Sequence, residues 1–171
     1  MTTTEQDAAT RKGRGRPKTF DREAALDIAL ELFWRHGYEA TSLAGLVAAT
    51  GAKAPALYAV FTNKEGMFRA AVDRYTEKFA SQSQAELACP ESCVAGGIEN
   101  YFRTTAACFT DGEKPGGCFL ICSSTGLSAE STEVAEMLRR KHQDQEAQLL
   151  AFLQGRQAAG ELDKHTQVRQ L

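Results

Sequence analysis

The segment from Thr41 to Asn63 constrains the fold most tightly. Thr41-Ser42 offers an N-cap, and Leu43, Leu46 and Val47 mark one face of a helix that stops at Thr50-Gly51. Pro55 then opens a second helix, 54–61, whose apolar pair is Leu57 and Phe61. Each has only about two turns, and helices that short are unstable in water unless their apolar faces pack on something larger. The brace must come from the flanks. Upstream, Phe20 and Asp21 read as an apolar staple and N-cap, followed by Leu26, Ala29, Leu30, Phe33 and Trp34 on one helical stripe that His36-Gly37 closes. Downstream, Thr62-Asn63 caps a longer helix over 64–80 bearing Met67, Phe68, Ala71, Val72, Tyr75 and Phe79. Two short helices across a tight turn, braced by a longer one, predict a helix-turn-helix module.

Such packing leaves the outer face of residues 53–60 unburied. Lys53, Ala54, Ala56, Tyr58 and Ala59 combine small side chains with one long cation and one phenol, so another surface can approach the backbone closely. A generic three-helix bundle is the plain alternative, and the charge distribution speaks against it. The whole chain carries a net charge of −2, yet residues 11–78 hold 12 basic against 8 acidic residues and residues 80–171 hold 8 against 12. Arg11, Lys12, Arg14, Arg16 and Lys18 fall close together, spaced by Gly13, Gly15 and Pro17 with no acid among them. They predict a disordered basic arm over 1–19. Charge runs are commonly just solvated, but one placed directly ahead of a helix-turn-helix can lie in an adjacent minor groove through Arg14, Arg16 and Lys18.

Composition limits the remaining choices. Hydrophobic residues at 43% and charged residues at 25% are ordinary globular usage, which excludes a disordered chain or a membrane bundle. No run reaches the roughly 18 apolar residues of a spanning helix, and Met1 to Thr10 carries no apolar export signal, so a cytoplasmic protein without a membrane partner is expected. Abundant Ala, Leu, Glu and Gln point to an all-α fold. Five cysteines, an odd number without an export signal, read as reduced thiols.

Residues 20–75, through FWRHGY at 33–38, ATSLA at 40–44, Thr50-Gly51, Leu57-Tyr58 and FTNKEGMF at 61–68, resemble the DNA-binding domain of the TetR/AcrR family of bacterial transcriptional repressors. The resemblance implies a homodimer on a palindromic double-stranded operator, released when a second domain binds an effector. It implies a recognition helix over 54–61, with Lys53, Ala54, Pro55 and Ala56 facing bases, Tyr58 and Lys64 on phosphates, and Thr41 and Ser42 at the same interface. Tyr58 as a mere packing residue is the alternative. Two positions depart from the pattern: Gly45 stands where an acidic residue usually closes the capping box, and Val60 where an aromatic or His is frequent. The organisation expected is arm 1–19, helix-turn-helix domain 20–65, and a connecting helix with an effector-binding and dimerisation domain over 66–171.

The rear half is less regular. A helix is expected over 91–110, with Gly96-Gly97 a possible break at its start, then a loop over 111–117. The apolar run Cys118 to Cys122 fits a buried strand or helix by periodicity, and the resemblance favours helix. Ser131 caps a long helix over 132–159, ended by Gly160. Val168 and Leu171 begin an apolar stripe that stops with the chain, whereas the family usually adds another helix, so the chain reads as truncated at its C-terminus with dimerisation left to the long helix.

Cys118 and Cys122 are four apart, a spacing that puts two thiols on one helix face, suited to a soft ion such as Cu(I); Cys89 and Cys93 share that spacing. Structural thiols are the alternative, and His142 and His165 are further candidate ligands. The front half is similar to a copper-responsive branch of the family, which makes Cu(I) the leading effector, with a thiol-reactive or small organic ligand as the other options; no cofactor is required. Tyr101, Phe102, Cys108, Phe109 and Phe119 are the expected effector-binding residues. A thiol-dependent enzyme using Cys118 or Cys122 with His142 lacks any supporting motif and leaves the helix-turn-helix unexplained. A non-specific architectural DNA binder is the remaining rival.

Overall fold

The computed structural model describes residues 20–89 and 93–170, and the regular elements among them are all helical. The basic arm and its Arg14, Arg16 and Lys18 lie outside the described residues, as does Leu171. Helix α1, Arg22–Ala40, starts where Asp21 accepts hydrogen bonds from the N–H groups of Glu23 and Ala24, both at 3.1 Å. Its stripe of Leu26, Ala29, Leu30, Phe33 and Trp34 is buried as expected. Gly37 breaks it at φ 77°, ψ 173°, a backbone state that a Cβ disfavours, and one further turn follows before Thr41.

Helices α2, Leu43–Thr50, and α3, Ala54–Phe61, bend by 109° across Gly51, which caps α2 in the left-handed region. Asn63 caps α4, Lys64–Tyr75, by accepting from the Gly66 N–H at 2.7 Å. The helix expected over 64–80 does not stay α. It winds as a π-helix over Thr76–Ala80 and continues into α5, Ser81–Leu87. The wider turn puts Tyr75 and Ala80, five apart, on the same buried side.

The rear helices are α6, Val94–Phe109; α7, Phe119–Ser124; and α8, Thr132–Ala158. Gly96-Gly97 lies inside α6 and does not break it. A Cβ on Gly97 would stand 2.7 Å from Cζ of Phe152, so the missing side chain lets α8 approach α6. After α8, Gln157 donates to the carbonyls of Asp163 and Thr166, folding the last residues back on the helix.

One aromatic cluster joins front to rear. The Phe119 ring lies 6.0 Å from Trp34, 5.6 Å from Phe68 and 5.3 Å from Tyr75, between centroids. Trp34 meets Tyr75 edge-on at 5.0 Å, and Phe33 meets Phe68 the same way at 5.0 Å. Around this centre, ion pairs set the angle between α1 and α4. The Arg74 guanidinium grips Asp27 with two hydrogen bonds, at 3.0 and 3.1 Å, and reaches Glu23 at 2.5 Å, while Lys78 adds a contact to Asp27 at 2.7 Å. These groups hold the Asp27 carboxyl below its ordinary range, the Arg74 hydrogen bond being the largest cause.

Phe119 is fully buried, so truncating it leaves a cavity against three aromatic rings. Phe119→Ala should cost about 3–5 kcal/mol, read as a lower denaturant midpoint. A loss below about 1 kcal/mol would show that α7 is not the element joining the two halves.

Candidate nucleic-acid interface

The two-turn helix α3 has one face committed to the core and the other free. Leu57 and Phe61 are 2% and 5% exposed, whereas Tyr58 and Val60 are 46% and 40% exposed. Lys53 is exposed at the N-cap position of α3, Pro55 is exposed in its first turn, and Ala54 and Ala56 are half-buried beside them. Tyr58 thus lies on the exposed side of α3. Ser42 caps α2 by accepting from the Gly45 N–H at 3.0 Å, so this half of the capping box stands without an acidic partner at 45. A side chain at 45 would bring its Cβ within 3.2 Å of the Ser42 hydroxyl.

Thr41 corrects the expectation that it faces DNA. It is 4% exposed, and its hydroxyl donates to the carbonyl of Gly37 at 2.8 Å, with Leu32 O at 3.4 Å. The physical reason is the kink. Gly37 interrupts the regular turns of α1, and the Thr41 hydroxyl turns inward onto the Gly37 carbonyl.

Lys64, in the first turn of α4, is half-buried. Its ammonium sits 4.1 Å from the centroid of the Tyr38 ring and 3.5 Å from the Glu39 carbonyl oxygen. Burial lowers the Lys64 pKa from its ordinary value, partly offset by the charge of Glu39. Sequence reasoning missed Arg22, whose guanidinium lies 5.5 Å from the Phe61 centroid at the end of α3. No helical pattern signals it, because the contact joins residues 39 apart. Glu39 was missed for the same reason. Its carboxylate accepts from the Ser128 N–H at 2.9 Å and the Ser131 hydroxyl at 2.6 Å, across more than 80 residues of chain.

The expected effector residues do not form one wall. Tyr101 is half-buried but its neighbour Phe102 is 57% exposed, since adjacent residues on a helix diverge by about 100°. Phe119 is 0% exposed, within the aromatic cluster. Cys108 and Phe109 are half-buried at the end of α6. The thiols also separate. Buried Cys118 accepts from the Tyr75 hydroxyl at 3.6 Å, whereas Cys122 has the Gly116 carbonyl at 3.9 Å. Burial is the chief cause that pushes the Cys108 thiol up; the Lys114 charge opposes it, and Asp111 and Cys118 add to it. Burial, then Cys118, raises the Tyr75 hydroxyl in the same way. Among the described residues no three His, Cys, Asp or Glu side chains are grouped to hold a metal ion. A cleft of about 520 Å³ lies elsewhere, lined by Thr76, Gln84, Leu120, Lys141, Asp144 and Gln148. Its signal in the sequence is the almost wholly polar stretch of α8.

A bent pair of short helices, one face buried and the other presenting Lys53 and Tyr58, defines a helix-turn-helix regulator. Residues 25–71 match the model for bacterial regulatory proteins of the tetR family. The chain is 53% identical over 168 residues to the HTH-type transcriptional repressor ComR of Escherichia coli (strain K12), covering 98% of this chain and 80% of ComR. It is 31% identical over 127 residues to YezE, an HTH-type transcriptional regulator of Bacillus subtilis (strain 168), covering 74% of this chain and 65% of YezE. Among solved structures, a cysteine mutant of the TetR family regulator CifR complexed with 26-bp operator DNA is similar at a TM-score of 0.84 and 32% identity, over 91% of this chain and 81% of that one. The chain belongs to the TetR family, and it is a transcriptional repressor of that type rather than an enzyme. Among the described residues no single helix is long and apolar enough to cross a membrane.

The Glu39 contacts carry a pH signature. Hydrogen bonds from Ser131 and Ser128 lower its carboxyl from the ordinary 4.5 to about 2. A depressed folded pKa gives stability that is complete above the unfolded value and lost as pH falls through the folded one. Between pH 5 and 2 the wild type should lose stability more steeply than Glu39→Gln, read by thermal melting across that range. Parallel acid limbs would remove Glu39 from the acid response.

Proposed function

We propose that this repressor binds a palindromic operator as a homodimer, with residues 20–65 reading DNA and residues 66–171 carrying the effector site and the dimer contacts. The observation that carries this reading is the two-sidedness of α3: Leu57 and Phe61 anchor it while Lys53, Pro55 and Tyr58 stay exposed. The similarity to CifR, whose structure holds operator DNA, supports it. Lys53 with Ala54, Pro55 and Ala56 approaches base edges in the major groove, and Tyr58, Lys64 and Ser42 position the helix on phosphates. The arm, through Arg14, Arg16 and Lys18, adds minor-groove contacts, and α8 contributes to the dimer.

Competition binding tests this. A selected palindrome should outcompete unrelated duplex, and Lys53→Ala should change the preference among palindromes. Lys64→Ala should weaken all of them about equally and reduce the salt slope by about 1. Equal competition by unrelated duplex would favour a non-specific architectural role.

For release, the thiol reading rests on Cys118 and Cys122, four apart at α7, with Cys108 near the end of α6. A soft Cu(I) ion or a thiol-reactive compound suits such ligands. Cys118→Ser should then keep operator binding and lose release by Cu(I), with Mg²⁺ inert in both proteins. The cleft of about 520 Å³ favours a second reading, a small polar organic ligand among Gln84, Gln148 and Lys141. A thiol-free variant that still responds at wild-type inducer concentration would select that reading.

A further inference from the structure

Among the described residues, the two hydrogen bonds that join residues 20–65 to the helices beyond residue 80 both end on Glu39. We infer that Glu39 is the positioning residue of the DNA interface, a latch through which the N-terminal end of α8 holds the start of the helix-turn-helix. This inference rests on the operator-binding reading and adds to it the contact that transmits the state of the rear helices to the reading helix.

The argument is geometric. The short stretch from Gly37 to Thr41 leaves the regular part of α1 and leads directly into α2, so its position sets where α2 and α3 begin. It is held from three sides. The carboxylate of Glu39 is taken by the Ser128 N–H and the Ser131 hydroxyl at the entrance to α8, with the two serine hydroxyls 3.3 Å apart. The carbonyl of the same residue accepts from Lys64, whose ammonium rests on the preceding residue's ring, Tyr38. Behind it, Gly37 lies against the backbone of α7, its would-be Cβ only 4.0 Å from the Cys122 carbonyl oxygen.

A single residue therefore touches α8 through its side chain and the phosphate-facing lysine through its backbone. Charge-assisted hydrogen bonds of this kind are directional, so displacement of the α8 entrance moves Glu39 or breaks the contact. On this proposal the latched form is the one that fits the operator, so anything that binds the unlatched form more tightly opposes DNA binding.

The cleanest test is Ser131→Ala in the full chain, which leaves the net charge unaltered and sits on the far side of the latch from DNA. The probe is the duplex that the wild-type chain selects from a random-sequence pool, at fixed salt, with thermal melting to verify each fold. Ser131→Ala should weaken binding about fivefold or more, within the usual range of coupling between sites. Glu39→Ala should weaken it as well, and the double variant should lose no more than the worse single one. In the Glu39→Ala background, Lys64→Ala should cost less than it does in the wild type. Wild-type affinity in a folded Ser131→Ala protein overturns the latch even if Glu39→Ala binds poorly, because Glu39 then acts only through its own segment. If the wild-type chain selects no duplex, the operator reading itself fails and takes the latch with it.

Discussion

The burial of one phenylalanine holds this molecule in register. Helix α7 is six residues long, too short to persist by its own hydrogen bonds, and Phe119 and Leu120 seat it in the core. Phe119 contacts rings from α1 and α4 together, which are the two helices that brace the helix-turn-helix. Once Phe119 is in place, Cys118 meets the Tyr75 hydroxyl, and the end of α7 comes against the kink at Gly37. Tyr38 and Glu39 directly follow that contact in the chain, and α2 begins shortly after them.

The charged network plays a different part. Arg74 joins α4 to α1 and Lys141 joins α8 to Asp73 of α4 at 3.0 Å, but the acids involved are about half exposed. Exposed pairs contribute little stability, typically well under about 1 kcal/mol each. Their effect lies in the angle at which helices meet, which apolar contacts leave loosely defined. Asp27 takes a bidentate contact from Arg74 and a third bond from Lys78, which ties α1 to α4 and to the π-helical turn after it.

Helix α4 runs between two features of the structure. Lys64 in its first turn stands beside the segment that leads into α2, and Thr76, directly after its last residue, lines the cleft against α8. Twelve helical residues span about 18 Å. Glu39 adds a separate contact from the front half to the start of α8 through Ser128 and Ser131.

How much of this was legible in the residues depended on range. The caps at Asp21, Ser42 and Asn63, the stop at Gly51 and the stripe from Leu26 to Trp34 all act within a turn or two, so their spacing reported where α1, α2 and α4 begin and where α2 ends, though α1 runs on past Gly37 and α4 gives way to a π-helix after Tyr75. The exposed face of α3 was equally legible, because two buried residues four apart leave the other side free. Thr41 was misread because only the kink decides which way its hydroxyl turns. The π-helical turn after Tyr75, the close approach of Phe152 to Gly97 and the burial of Phe119 depend on which helix arrives opposite, and no local pattern encodes that. The same holds for Glu39, whose partners Ser128 and Ser131 are distant in sequence. By itself the sequence determined a helical chain with a helix-turn-helix and a face suited to DNA, because hydrogen bonds and periodicity within one element suffice for that. Only the tertiary structure decided which aromatics became core, which thiol met the Tyr75 hydroxyl and which acid reached the start of α8, because those outcomes are set by packing between elements far apart in the chain.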